Sequence, residues 1–127
     1  MSHGRPPRRV RYAPPGEIIK DHCLIRQAGL WHFFSISGGV GHSWLDVGHE
    51  ECISHSTSPD LIHWEMQGHP VAASRQPGYN DEHMAVAPFV VRGSDGRFYM
   101  FYSGWRHPRK RPQFSLDGHR QSIYMAV

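Results

Sequence analysis

The sequence has 127 residues and a formal charge of +3, with 39% hydrophobic and 12% aromatic residues, a composition typical of one folded domain rather than a disordered chain. No apolar run is long enough to span a membrane, and the opening "MSHGRPPRRVRYAPPG" lacks the apolar core of a secretory signal, so no membrane partner is predicted. A cytoplasmic location is therefore expected, with secretion open if an upstream signal precedes this chain.

Residues 1–16 form a basic tail rich in Pro and Gly, and a second basic cluster lies at 106–112. Neither is accompanied by an aromatic ladder or a nucleic-acid-reading motif, so both are interpreted as solvated segments and no nucleic-acid partner is predicted. The eleven histidines form no His-x-x-x-His pair, and the two cysteines form no Cys-x-x-Cys pair. No metal or other cofactor is predicted.

Seven β-strands are predicted after the tail. Short apolar or aromatic runs bounded by turn residues are typical of strands, and no segment has a helical period of useful length. The predicted strands are 22–27, 30–37, 51–57, 64–68, 87–92, 97–103 and 121–127. Between the third and fourth strands, Ser58 is expected to cap a single helical turn that has Pro59 at its first position.

The sequence repeats itself. The stretch "CLIRQAGLWHFFSISG" (23–38) overlays "FVVRGSDGRFYMFYSG" (89–104), including the turn and the aromatic strand that follows it. Self-similarity at a fixed spacing is the signature of a repeat architecture. We interpret 17–72 as one complete four-stranded unit and 84–127 as an incomplete second unit that breaks off at Val127.

The second predicted strand is apolar on both faces. In "LWHFFSI", Trp31 and Phe33 face one way, and the other face carries Phe34 and Ile36, so both faces need covering. No helix is available to cover them, which leaves sheets stacked face to face, as β-propeller blades are. The predicted fold class is all-β, a partial propeller with one complete blade and three strands of a second.

The two cysteines, Cys23 and Cys52, are predicted to be free thiols. They fall on the first and third strands of one sheet, and neighbouring strands lie about 4.8 Å apart. The two residues would therefore be about 10 Å apart, too far for a disulfide.

Three stretches resemble the five-bladed β-propeller of the glycoside hydrolases, the superfamily that holds families 43, 32 and 62. They are "KDHCLIRQAGLWHFF" (20–34), "ISHSTSPDLIHWE" (53–65) and "VAPFVVRGSDGRFYMFYSG" (86–104). The resemblance implies that the innermost strand of each blade lines a central funnel, with catalytic carboxylates at the strand starts. It implies an Asp general base in blade one, an Asp that tunes pKa values in blade two and a Glu general acid in blade three.

The resemblance places Asp21 at the general-base position, although His22 stands where the family has Pro. The alternative for Asp21 is a carboxylate that caps a turn. In blade two, Phe89 stands where the family has the tuning Asp. Asp81 and Glu82, just upstream, are the candidates to supply a carboxylate to the same rim, and the alternative is that both are solvated loop residues.

Five residues are candidates for binding substrate: His22, His83, Trp44, Trp105 and Phe89. The histidines can hydrogen-bond sugar hydroxyls or carboxylates, and the indoles can stack on a sugar ring. The alternatives are ordinary structural histidines and tryptophans packed in the core.

The resemblance implies a portion of a glycosidase-like propeller that hydrolyses glycosidic bonds in poly- or oligosaccharides, with carbohydrate as its partner. Because no blade-three Glu is present and one and a half blades do not close a ring, the chain alone is expected to be inactive. The alternative is a non-catalytic carbohydrate-binding or protein-interaction module. The incomplete blade is expected to leave Phe98, Met100 and Tyr102 partly uncovered and to favour self-association.

Overall fold

The computed structural model describes residues 11–44, 46–106 and 120–127, which form an all-β fold. Its strands are β1 (Glu17–Gln27), β2 (Leu30–Gly39), β3 (Cys52–Ser58), β4 (Glu65–Ala72), β5 (Met84–Arg92), β6 (Phe98–Arg106) and β7 (Arg120–Ala126). All seven predicted strands are present, and β1, β4, β5 and β6 extend at least three residues beyond their predicted bounds. Within the described ranges, no helix is long and apolar enough to cross a membrane. Most of the predicted basic tail and most of the second basic cluster lie outside the described residues.

The strands form two antiparallel sheets, which reproduce the predicted repeat. The first sheet has the order β1-β2-β3-β4, and the second has the order β5-β6-β7. In both sheets each strand pairs with the strand that follows it along the chain, so the two units share one topology. The all-β prediction and the blade-like arrangement of the strands are confirmed.

Both opening strands carry an irregularity at the same place. The pairing register shifts between Lys20 and Cys23 in β1 and after Val86 in β5. A residue in the left-handed region lies inside each bulge, Asp21 with φ 40° and Ala87 with φ 54°. Asp21 and Ala87 occupy the same position in the sequence repeat, so the repeat extends to the backbone conformation. Bulges of this kind bend a strand and re-aim its side chains.

Two clusters of buried side chains join the sheets face to face. One contains Ile36, Met84 and Val86, and the other contains Ile53, Ala85 and Met100. Strand β5 approaches all four strands of the first sheet and makes its most extensive approach to β1, so the sheets are held together along their opening strands. This is the stacking predicted from the apolar pattern of β2.

The other face of the first sheet is covered by an aromatic cluster. The Tyr12 ring stacks on Trp64 with centroids 5.1 Å apart and meets the Phe33 ring edge to face at 6.1 Å. The Tyr12 hydroxyl hydrogen-bonds Ser56 Oγ at 2.7 Å. Strand β2 is therefore covered on both faces, since Phe34 packs against the second of the two buried clusters.

The predicted helical turn after β3 is wrong, because the segment "SPDLIHW" forms bends. Ser58 Oγ does accept a hydrogen bond from the Leu61 backbone N–H at 2.8 Å, as a cap would. Leu61, however, has φ 64°, which a right-handed helix does not allow. Asp60 Oδ1 accepts the next two backbone N–H groups, those of Ile62 and His63, at 2.9 and 2.8 Å. The side chains of Ser58 and Asp60 thus hold a turn that competes with helix.

We expect Asp60→Asn to destabilise the fold at neutral pH and to do so less as the solution becomes acidic. Hydrogen bonds from the His63 backbone, the His63 ring and the Ile62 backbone hold the Asp60 pKa far below its usual range. Such a carboxylate adds stability above its ordinary pKa of about 4, and that stability is lost as the pH falls toward the depressed pKa. Thermal unfolding of both proteins from pH 7 to pH 2 measures the effect, with Glu65→Gln as the control. A difference in Tm that does not shrink below about pH 4 contradicts this assignment.

Cys23 and Cys52 are both free, as predicted, and both are half-buried. Burial raises the pKa of each thiol above its usual value. We therefore expect both to react with a thiol reagent after denaturation without reductant, and to react much more slowly in the folded protein, because the thiolate is the reactive form. A count below two in the denatured protein, or equal rates before and after denaturation, contradicts the strand placement.

Candidate functional site

Asp21 lies on the surface, inside the bulge of β1. Its side chain is exposed, and its backbone is left-handed, a conformation that Asp tolerates better than most residues. The bulge interrupts the β1–β2 pairing between Lys20 and Cys23, so Asp21 has no direct partner in the β2 ladder. Asp21 is exposed, as expected, but it is the fifth of the eleven residues of β1 and does not lie at the start of the strand. Its role as general base stays a prediction.

A buried carboxylate, Glu50, lies next to this position. Lys20 Nζ donates to Glu50 Oε1 at 2.5 Å, and the Glu50 side chain is only 5% exposed. A Cβ on Gly38 would lie 3.1 Å from Glu50 Cγ, so the glycine makes room for the carboxylate. Sequence reasoning missed Glu50, because "GHEEC" lies in a loop and no spacing rule marks one of its acids as buried. The pair links the loop between β2 and β3 to the side chain of the residue that precedes Asp21.

The two candidate tryptophans contact the same buried cluster. Trp44 lies in the loop after β2 and Trp105 lies near the end of β6, and both pack, half-buried, against Ile36, Met84 and Val86. One indole therefore comes from each repeat unit. This contact is the packed arrangement that was the alternative to sugar stacking, and a role of either indole in binding substrate stays a prediction.

Glu82 and His83 lie just before β5, beside the end of β6. Glu82 is 3.2 Å from Arg106 Nε, 3.4 Å from His83 Nε2 and accepts a hydrogen bond from the Gly78 backbone at 2.8 Å. The His83 backbone N–H donates to the Trp105 carbonyl at 2.9 Å. The Glu82 side chain is 19% exposed and its carboxylate is positioned by these contacts, so Glu82 is not a solvated loop residue.

Asp81 is buried, with 8% of its surface exposed. Its Oδ1 has no hydrogen-bond partner among the described residues. Asp81 lies against the stacked rings of Tyr102 and Tyr124, whose pKa values are raised first by burial and then by the Asp81 charge. A Cβ on Gly104 would lie 2.5 Å from Asp81 Cβ, so only glycine fits there. Asp81 is therefore not the solvated loop residue of the alternative interpretation.

Phe89 lies on the face of the second sheet that points away from the first. It is 62% exposed and pairs across the sheet with Phe101, which pairs in turn with Met125. Of the residues predicted to be partly uncovered, Phe98 and Tyr102 are half-buried, but Met100 is buried in the core at 8% exposure, so the prediction was wrong for Met100. Met100 packs with Ile53 of the first sheet, whereas Phe89 and Phe101 pair on the opposite face of the second sheet.

His22 lies on the far side of the first sheet from the tryptophans. Its ring is exposed and stacks on Phe33 with centroids 5.6 Å apart. Together with Tyr12, Trp64 and Leu24 it lines a cavity of about 570 Å³ on that face. The structure therefore does not bring His22 to the cluster that holds Trp44 and Trp105. In the described part of the chain, no group of three His, Cys, Asp or Glu is arranged to hold a metal ion.

Comparison with solved structures identifies the fold. A GH43 β-1,3-galactosidase solved with galactodeoxynojirimycin matches with a TM-score of 0.55 and 22% sequence identity over 66% of this chain. The match covers 24% of the galactosidase, so the chain spans about a quarter of that protein. No protein-family model and no curated protein sequence matches. The chain has the fold of part of a GH43-type β-propeller, which confirms the resemblance stated from the sequence at the level of the fold.

Proposed function

We propose that this chain supplies one complete blade and part of a second in a glycosidase-like propeller that hydrolyses glycosidic bonds in an oligo- or polysaccharide. The observation that carries the proposal is Asp21, an exposed carboxylate held in a left-handed bulge of the opening strand of a GH43-type fold. A carboxylate in this setting can accept a proton from water as that water attacks the anomeric carbon.

The reaction needs a second carboxyl group, which donates a proton to the leaving oxygen. Asp81 and Glu82 are the acids nearest to the start of β5, but Glu82 already contacts Arg106 and His83, and Asp81 is buried against two tyrosines. Neither is placed as a free proton donor. We therefore propose that this chain alone does not turn over glycosides, and that the acid comes from other blades.

The second candidate function is a propeller module that binds carbohydrate or protein without catalysis. Phe89 favours it, since an apolar, 62% exposed ring stands where the family places a carboxylate that tunes its neighbours. A Glu at the start of a third opening strand in the downstream coding sequence supports the enzyme. Its absence supports the binding module.

An assay of the chain on aryl β-galactosides, arabinosides and xylosides, run beside size-exclusion chromatography, tests the proposal directly. We expect no turnover, together with self-association through the exposed apolar face around Phe89, Phe101 and Met125. Phe89→Ser should shift the elution toward the monomer. A stable monomer with turnover that Asp21→Asn abolishes would mean that the chain contains a complete site.

A further inference from the structure

A second cavity, of about 580 Å³, lies on the first sheet at the opposite end from Asp21. Three strands and the loop after β3 line it. Leu30 and His32 come from β2, and His55 and Thr57 come from β3. The loop provides Pro59, His63 and Trp64, and β4 provides Glu65 and Gln67. Its volume lies within the range of small-molecule sites. We name it the outer-strand cavity.

Two imidazoles that line the outer-strand cavity are in contact with each other. His32 Nδ1 and His55 Nε2 are 3.0 Å apart, and the two rings stack with centroids 5.2 Å apart. Burial, and then the charge of His32, lower the His55 pKa below its ordinary value. His55 is therefore neutral near pH 7. Where both rings are neutral, one ring donates its N–H to the other in either tautomer, so the pair keeps one N–H donor and one nitrogen acceptor for a ligand.

The remaining walls add further hydrogen-bonding groups beside apolar surfaces. Gln67 Nε2 donates to Thr57 Oγ1 at 2.9 Å, which leaves the second amide hydrogen and the carbonyl oxygen of Gln67 for a ligand. The indole of Trp64 is held by its bond to the Leu61 carbonyl at 3.2 Å and by the Tyr12 ring stacked on it. A fixed aromatic wall costs little side-chain entropy when a ligand binds.

From this lining we infer that the outer-strand cavity binds a neutral sugar of one or two rings. Each sugar hydroxyl both donates and accepts a hydrogen bond, as the histidine pair and the Gln67 amide do. The C–H faces of a sugar match Leu30 and Trp64. Glu65 disfavours an anionic sugar, since its carboxylate would face a like charge. The inference does not depend on the proposed hydrolysis, because Asp21 does not line this cavity.

Saturation-transfer and ¹⁵N-shift NMR on the full chain test the inference, with galactose, a neutral galactose disaccharide and galacturonate as probes. We expect saturable binding of the neutral sugars, with shifts around Gln67 and His55, and weaker binding of galacturonate. Gln67→Leu keeps the size of the side chain and removes the amide. It should weaken binding about tenfold, the equivalent of about 1.4 kcal/mol.

The matched control is Gln27→Leu, which changes an exposed glutamine at the end of β1 outside the cavity. It should bind as the unaltered chain does, and so should Asp21→Asn. The absence of saturable binding by either neutral sugar, equal binding of galacturonate, or a Gln67→Leu variant of unchanged affinity overturns the inference. If Asp21→Asn alone abolishes binding, the sugar lies at the proposed hydrolytic site, which contradicts the outer-strand site and supports the proposed function.

Discussion

Asp21→Asn is expected to lower turnover by about 10²–10⁴-fold in a completed propeller, the contribution typical of a positioned general base. The physical reason is that an amide oxygen cannot accept the proton of the attacking water as a carboxylate does. Folding should be unchanged, because Asp21 is exposed and Asn also tolerates its φ of 40°. The loss should appear in kcat and in kcat/KM alike.

The experiment is a chimera in which this chain replaces the aligned portion of the GH43 β-1,3-galactosidase, so that the other blades complete the ring. Asp95→Asn is the matched control, since Asp95 is an exposed carboxylate in the turn between β5 and β6. It should leave turnover unchanged. A folded chimera without turnover, or an Asp21→Asn chimera with nearly normal turnover, contradicts the proposed function.

The same chimera tests the departure at Phe89. If this position tunes the catalytic carboxylates in the family, Phe89→Asp should raise turnover and shift the pH profile of kcat/KM. The substitution places a charge on a side chain that is 62% exposed, so the fold should tolerate it. Unchanged turnover and an unchanged pH profile would show that Phe89 has no part in the chemistry.

Ile53→Ala is expected to lower the free energy of unfolding by about 2–5 kcal/mol, the usual cost of emptying a buried aliphatic site. Ile53 is completely buried and packs with Ala85 and Met100, so it joins the first sheet to the second. Part of the cost is the lost burial of the side chain, and part is the cavity that packed sheets cannot close. Urea denaturation of the two proteins measures the difference.

Ile53→Val should cost only about 0.5–1.5 kcal/mol, because it removes a single methylene group. Ile123→Ala is the surface control, since Ile123 is 70% exposed and should change the stability little. If Ile53→Ala is as mild as Ile123→Ala, the two sheets do not share the core described above.

Strand order and stacking could be predicted because they follow from local patterns. The two-faced apolar pattern of β2 requires cover on both sides, and Phe33 and Phe34 are indeed packed on opposite faces. The repeat aligned Asp21 with Ala87, and both have the same unusual backbone conformation. Such features depend on residues that are near in sequence or matched between copies.

Other features depend on long-range geometry and could not be predicted. Glu50 lies in a loop and its burial depends on Lys20 of β1, and the burial of Asp81 depends on the space above Gly104. The burial of Met100 depends on its contact with Ile53 of the first sheet, and the alternation of apolar residues in β6 does not indicate that contact. The prediction of a helical turn at Ser58 was wrong because the Leu61 backbone lies in the left-handed region. No cap motif in the sequence indicates that conformation.

Methyl NOE spectroscopy on the full chain shows whether the two sheets are adjacent blades of one propeller. The structure predicts NOEs between Ile36 and Val86 and between Ile53 and Met100, because each pair shares one buried cluster across the two sheets. NOEs within a sheet, such as Val90 to Met100, should appear beside them. A spectrum with the contacts inside each sheet and none between Ile53 and Met100 or between Ile36 and Val86 would contradict the blade packing on which the proposed site depends.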